Sequence, residues 1–261
     1  MSTVLIEKSG GLTILTLNRP DQLNAFNDEQ HFALRKALEE ARNEDACRAI
    51  LLTGSGRGFC AGQDLGDRNP DKMVGPPDLG HTLETFYNPL IRLIREIPKP
   101  VICAVNGVAA GAGANIAFAC DVVFAAKSAK FIEAFSKIGL VPDSAGTWTL
   151  PRLVGEARAK AMILTAEPVL AEEAERIGLI YRCVGDDQLM TEATALGHKF
   201  ADGPTFGFGL TKQAMHASPH NTLDQQLDLE RDLQRKAGRS NDYAEGVRAF
   251  MHKRAPKFEG K

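Results

Sequence analysis

The chain lacks a dominant charge, paired cysteines and any apolar run long enough to span a bilayer. Its 31 basic and 33 acidic residues leave a formal charge of -2, which excludes global attraction to nucleic acid or to an anionic membrane. No stripe of basic and aromatic residues compensates. An anionic ligand must therefore be held locally. The five cysteines, Cys47, Cys60, Cys103, Cys120 and Cys183, are odd in number and form no C-x-x-C pair. They read as reduced core residues of a cytoplasmic protein. The first residues, Met1-Ser2-Thr3-Val4-Leu5-Ile6-Glu7-Lys8, lack the pattern of a secretory signal, and no stretch predicts a membrane span.

Several catalytic templates are missing too. Gly54-Ser55-Gly56-Arg57-Gly58 lacks the lysine of a phosphate-cradling loop, and Ile116 stands where a dinucleotide fingerprint needs its third glycine. Pro142 precedes Asp143 and Ser144 where a hydrolase elbow would place glycine, so Ser144 is not expected to be a nucleophile. Among six histidines, His216 and His220 are four apart, but Pro219 interrupts them and no glutamate joins them. No metal site is expected, and the histidines read as solvent-facing.

What is present is a pair of small-residue turns, each after an apolar run. Residues 49–53 precede Gly58-Phe59-Cys60-Ala61-Gly62-Gln63-Asp64-Leu65, and residues 100–105 precede Asn106-Gly107-Val108-Ala109-Ala110-Gly111-Ala112-Gly113. Both read as buried strands ending in tight, glycine-permitted turns that can aim backbone N–H groups outward. Such donors form an oxyanion hole when they converge on a carbonyl gaining negative charge, each contributing about 2.7–4 kcal/mol. A single turn would more simply mark close packing, but two with the same logic point to enolate chemistry. Asp143, in a punctuated stretch among apolar residues, is the candidate proton-transfer carboxylate, with partial desolvation expected to raise its pKa. A helix N-cap is the competing role for the same side chain.

With 261 residues and 44% hydrophobic content, the chain predicts one α/β domain with a helical extension. Residues 4–7 and 12–17 form an opening hairpin around Gly10-Gly11. Asn27 caps a helix over 28–43, with Gln30 three residues on and Phe32, Leu34, Ala37, Leu38 and Ala41 as its apolar face. Residues 66–80 read as a mobile surface loop and candidate lid. A helix near 81–96 and another from Ala112 follow, then strands at 121–126 and 130–134. Helices are predicted over 156–165, 170–177, 186–201, 205–216, 222–237 and 242–253, with a strand candidate at 179–184. The basic stretch Lys253-Arg254-Ala255-Pro256-Lys257-Phe258 reads as a solvated tail rather than a ligand contact.

Together these residues resemble the crotonase, or enoyl-CoA hydratase/isomerase, family across essentially the whole chain. The resemblance is carried in order by Arg19-Pro20 with Leu23-Asn24-Ala25, by Phe59 to Leu65, by Asn106-Gly107-Val108-Ala109 with Gly111 and Gly113, and by Cys120-Asp121. It implies an α/β spiral of repeated ββα units, with residues 1–200 as core and 201–261 as a helical region that forms trimers or dimers of trimers. It also implies an acyl-CoA thioester substrate and no separate cofactor. By that resemblance, the N–H groups of Gln63 and Ala112 would be the oxyanion donors, Ala112 replacing a usual glycine. Ala25, Ala61, Gly62, Asp64, Leu65, Gly111, Asn115 and Phe135 would contact substrate.

The positions matching the two glutamates of the family's hydratases hold Asn115 and Phe135. Water addition is therefore not expected. Asp143 matches the single acid of some family isomerases, and residues 134–143, 227–232 and 237–240 resemble members that turn ring-1,2-epoxyphenylacetyl-CoA into a seven-membered oxepin-CoA. Such members also shift enoyl-CoA double bonds. A fatty-acid enoyl-CoA hydratase or Δ3-Δ2 isomerase is the nearest alternative, and a non-catalytic acyl-CoA-binding scaffold is an alternative of another class.

Overall fold

Glycine chemistry starts the fold. In the computed structural model, which describes residues 2–66 and 75–261, Gly10 and Gly11 have φ of 51° and 82°. Only such a two-residue turn brings β1 (Val4–Ser9) back against β2 (Leu12–Leu17) with matching twist. Next comes α1 (Asp28–Asn43), where the Asn27 side chain accepts from the Gln30 amide at 3.0 Å, as the sequence predicts. Leu34, Ala37, Leu38 and Ala41 form its buried face as expected, with one exception. Phe32 is 51% exposed, whereas Gln30 and His31 are buried, because Gln30 donates to the Asn24 carbonyl and His31 packs among Phe26, Phe86 and Tyr87. His31 is thus not solvent-facing.

The large sheet has the order β1-β2-β3-β5-β7-β10, formed by adding β3 (Ala49–Gly54), β5 (Val101–Val105), β7 (Val122–Ala126) and β10 (Arg182–Val184) in parallel to β2. The continuous apolar runs of β3 and β5 fit strands covered on both faces. A smaller sheet contains β4 (Gly58–Cys60), β6 (Val108–Ala110), β8 (Lys130–Ile132) and β9 (Val169–Leu170). Each of β3, β5 and β7 leads into a short strand of this second sheet, and helices follow. The ββα repeat expected from the family resemblance is therefore present.

The two turns of the sequence reading thus each contain a strand. Their small residues hide strand character because pairing partners lie in the next repeat, far along the chain.

After β4, α2 (Leu79–Thr82), a π-helical turn (Leu83–Tyr87) and α3 (Asn88–Glu96) form one run. The predicted loop at 66–80 falls largely outside the described residues, and its last two residues are helical. Next in order are α4 (Ala112–Ala119), a 3-10 turn (Ala134–Ile138), α5 (Gly146–Val154), α6 (Glu156–Thr165), α7 (Ala171–Arg176), α8 (Leu189–Ala201), α9 (Thr205–Ala217), α10 (Leu223–Ala237) and α11 (Asn241–Met251). Helix α5 is an addition to the predicted set. Its first residue, Gly146, and its internal Pro151 read as breakers in sequence, yet tertiary packing buries Thr149, Leu150 and Val154.

The basic C-terminal stretch is exposed over residues 253–257, as expected of a solvated tail, but it is also fastened to the body. Arg48 donates from Nη1 to the Phe258 carbonyl at 2.8 Å and from Nε to Thr205 Oγ1 at 3.0 Å. Asp242 accepts the amides of Glu259 and Gly260, and Arg254 forks onto Glu245. No helix among the described residues is long and apolar enough to cross a membrane. Cys47, Cys60, Cys103 and Cys120 are buried, and all five cysteines are free.

Candidate active site

Two backbone segments approach one another where the small sheet ends. Past β4, Phe26 donates to the Gly62 carbonyl at 2.7 Å and Asp64 donates to the Phe26 carbonyl at 2.9 Å. This parallel bridge skips the amide of Gln63. Gly62 has φ of 89°, and a Cβ there would lie 2.9 Å from the Ala110 carbonyl oxygen and 3.5 Å from the Ala112 nitrogen. Only glycine permits that approach. Ala112 is the first residue of α4, whose first internal bond runs from Asn115 N to the Gly111 carbonyl at 3.1 Å. Its own N–H therefore has no acceptor within the helix and carries part of the positive end of the helix dipole.

Both segments line a cavity of about 410 Å³. Ala61, Gly62, Gln63, Leu65, Gly111, Ala112, Phe135 and Asp143 contribute to its wall, so eight of the residues singled out in the sequence meet there. The other three lie behind it. Ala25 is buried beside the segment, Asp64 pairs with Arg19 at 2.9 Å, and Asn115 is buried beneath the wall at 1% exposure. The Gly66 amide, and then Arg19, hold the Asp64 carboxyl below its usual range. Arg19 also donates to the Ala25 carbonyl, so one guanidinium ties Ala25 to Asp64.

Asp143 occupies a turn with unusual backbone. Ser144 and Ala145 follow it at φ of 51° and 65°, a left-handed pair without glycine. The turn is stabilised by bonds to Asp143: its carbonyl accepts Asn115 Nδ2 at 3.0 Å and the Gly146 amide at 2.9 Å, while its carboxylate accepts the Ser144 hydroxyl at 2.8 Å. Helix α5 starts at Gly146 without a side-chain cap, so the Asp143 carboxylate is not its N-cap.

Further contributors are not evident in the sequence reading. Leu83 and Tyr87 of the π-helical turn reach the cavity, and Tyr87 donates its hydroxyl to Gln63 Oε1 at 2.9 Å. Gln63 Nε2 in turn donates to the Phe26 carbonyl at 3.0 Å, which locks that side chain. Glu133 is buried behind the wall, where burial pushes its carboxyl up to about 8 despite the Asn115 hydrogen bond. Its signal in the sequence is a lone carboxylate among Phe131, Ile132, Ala134 and Phe135. Among the described residues, no three His, Cys, Asp or Glu side chains gather as metal ligands.

Residues 7–261 match the family described as enoyl-CoA hydratase/isomerase. The chain is 55% identical to 1,2-epoxyphenylacetyl-CoA isomerase of Escherichia coli K12 over 261 residues, covering 100% of both chains. It is 49% identical to a probable enoyl-CoA hydratase of Rhodobacter capsulatus, covering 99% of this chain and 98% of that one. The solved enoyl-CoA hydratase of Bacillus anthracis superposes with a TM-score of 0.93 at 30% identity, covering 99% of this chain and 100% of that one. With shared sequence along its full length and a common fold, this chain belongs to the enoyl-CoA hydratase/isomerase family.

Proposed function

We infer that this chain is an acyl-CoA isomerase that converts ring-1,2-epoxyphenylacetyl-CoA to oxepin-CoA, with enoyl-CoA double-bond isomerisation as a related activity. The full-length similarity to the Escherichia coli isomerase supports the substrate class. The observation that carries the mechanism is that Asp143 is, among the described residues, the one carboxylate on the wall that also receives the Gln63 and Ala112 segments.

In this reading the thioester oxygen lies between the Gln63 and Ala112 N–H groups, where enolate charge is stabilised as it develops. Asp143 removes a proton beside the carbonyl and returns one elsewhere along the conjugated system. An isomerisation conserves atoms, so one carboxylate serves both half-steps. For the ring epoxide, the same shuttle accompanies C–O opening and ring expansion. CoA belongs to the substrate, and no further cofactor takes part.

A hydratase reading is weaker because Asn115 is buried and committed to the Asp143 carbonyl, while Phe135 presents a ring to the cavity. Neither can activate water. Phe135, Leu83, Leu140 and Val141 instead line a largely apolar chamber suited to a ring-derived acyl group. Exposed apolar side chains on α10 and α11, including Leu223, Leu227, Val247 and Phe250, support assembly as a homotrimer or a dimer of trimers.

Parallel assays with the ring epoxide, a 3-enoyl-CoA and crotonyl-CoA test the proposal. Isomer formation from the first two, with negligible hydration of the third, is expected. Crotonyl-CoA hydration as the fastest reaction overturns it.

A further inference from the structure

One carboxyl group next to the cavity has no part in this reaction. Glu133 follows β8 and precedes the 3-10 turn that brings Ala134, Phe135 and Ile138 to the wall. It is 1% exposed. Its Oε2 accepts Asn115 Nδ2 at 3.4 Å, while Oε1 has no hydrogen-bond partner among the described residues. Asn115 Oδ1 is buried and has none either.

Counting donors decides what this means. An ionised Glu133 offers only acceptors, and Asn115 Oδ1 adds another. The Asn115 amide group already gives a hydrogen to the Asp143 carbonyl at 3.0 Å. A carboxylate here would leave two acceptors orphaned in the interior, an arrangement that folded proteins rarely tolerate. A neutral carboxylic acid supplies the missing hydrogen.

We propose that Glu133 is held as a neutral acid paired with the Asn115 carboxamide, and that this pair is a positioning device for Asp143. The inference rests on Asp143 being the acid-base group of the proposed isomerisation. Asn115 joins the two, since the same amide nitrogen meets Glu133 and the Asp143 peptide. Gly146 leaves room for it, because a Cβ there would lie 2.5 Å from Asn115 Nδ2.

The surroundings favour the neutral form. Helix α4 carries no titratable side chain, and the charge acting on Glu133 is that of Asp143, which opposes a second anion. Lys137 on the 3-10 turn is exposed, as are Glu156, Arg158 and Lys160 on α6, which packs against that turn. Burial first, and Asp143 in addition, push the Glu133 carboxyl up to about 8. At neutral pH, enolate charge therefore develops beside one carboxylate rather than two. Ionisation of Glu133 at higher pH adds the second negative charge and slows turnover.

Infrared difference spectra of the intact protein at about pH 6 and about pH 10 test the neutral acid without turnover. A protonated-carboxyl band that titrates in the wild type and is missing from Glu133→Gln is expected. The kinetic arm compares kcat and KM across pH. Glu133→Gln keeps a neutral hydrogen-bonding group, so kcat near neutrality should stay within about threefold and the alkaline decline should disappear. Glu133→Leu should lower kcat about tenfold with KM little changed, as Asn115 loses its partner. Absence of the band, or an unaltered alkaline limb in Glu133→Gln, overturns the proposal. If the band is present but Asp143→Asn turns over normally, the isomerase mechanism fails while the buried acid stands.

Discussion

The cavity joins two kinds of construction. The segments bearing Gln63 and Ala112 are positioned by backbone: strand ends, a helix start, and a glycine at φ of 89° that lets one segment approach the other. The Asp143 turn is positioned by side chains, through Asn115 and Ser144, and contains two left-handed residues that are not glycine. Backbone donors are hard to remove by substitution but easy to displace by adding a methyl group. A side-chain-held acid responds to small chemical changes around it. Under the proposed mechanism, charge stabilisation and proton transfer should therefore fail in different ways.

The sharpest break of that contrast is Asp143→Asn, which should lower kcat by about 10²–10⁴ while thioester affinity changes little. Steady-state kinetics with isothermal titration of a non-reactive acyl-CoA reads both quantities. A parallel loss of affinity would mean that Asp143 holds substrate rather than moving protons. Next in size is Gly62→Ala, expected to cost about 10²–10³ in kcat because the new Cβ pushes against the Ala110 carbonyl beside the Ala112 amide. Raman spectra of a bound acyl-CoA should then lose the downshift of the thioester carbonyl, a shift that Asp143→Asn retains.

Asn115→Leu removes the donor to the Asp143 carbonyl. Urea unfolding should show a loss of about 1–3 kcal/mol, accompanied by reduced kcat. Replacing Ser144 by Ala deletes one bond to the Asp143 carboxylate and should reduce kcat only severalfold, as read by steady-state kinetics.

The smallest effect concerns stability against pH. The Glu133 carboxyl is raised from its usual 4.5 to about 8 in the folded state, so folding retains a proton that the unfolded chain releases. Its contribution is full below about pH 4.5 and is lost as pH rises toward about 8. Denaturation midpoints of Glu133→Gln should therefore gain on the wild type across that interval. Parallel curves for the two proteins would show that Glu133 ionises normally.

Helix α1, with Asn27 and Gln30 at its start, could be read from local sequence because caps and apolar spacing act within a few residues. Helix α6 spans residues 156–165 as its periodicity predicts. Strand β8 lies within the stretch read as a strand at 130–134, whereas β4 and β6 were harder. The three-residue lengths of β4 and β6 carry little periodic signal, and their partners are supplied by successive repeats. Helix α5 was obscured by Gly146 and Pro151, residues whose local preference is overridden by packing.

The chain alone determined its family, its glycine-dependent segments and the candidacy of Asp143, because these depend on residue identity in ordered motifs. Only the tertiary structure decided that Asn115 connects Glu133 to the Asp143 peptide and that Tyr87 reaches Gln63. Those contacts join elements distant in the chain, and burial sets their chemistry. A carboxyl in water and one enclosed by apolar neighbours share a letter in the sequence but not a protonation state.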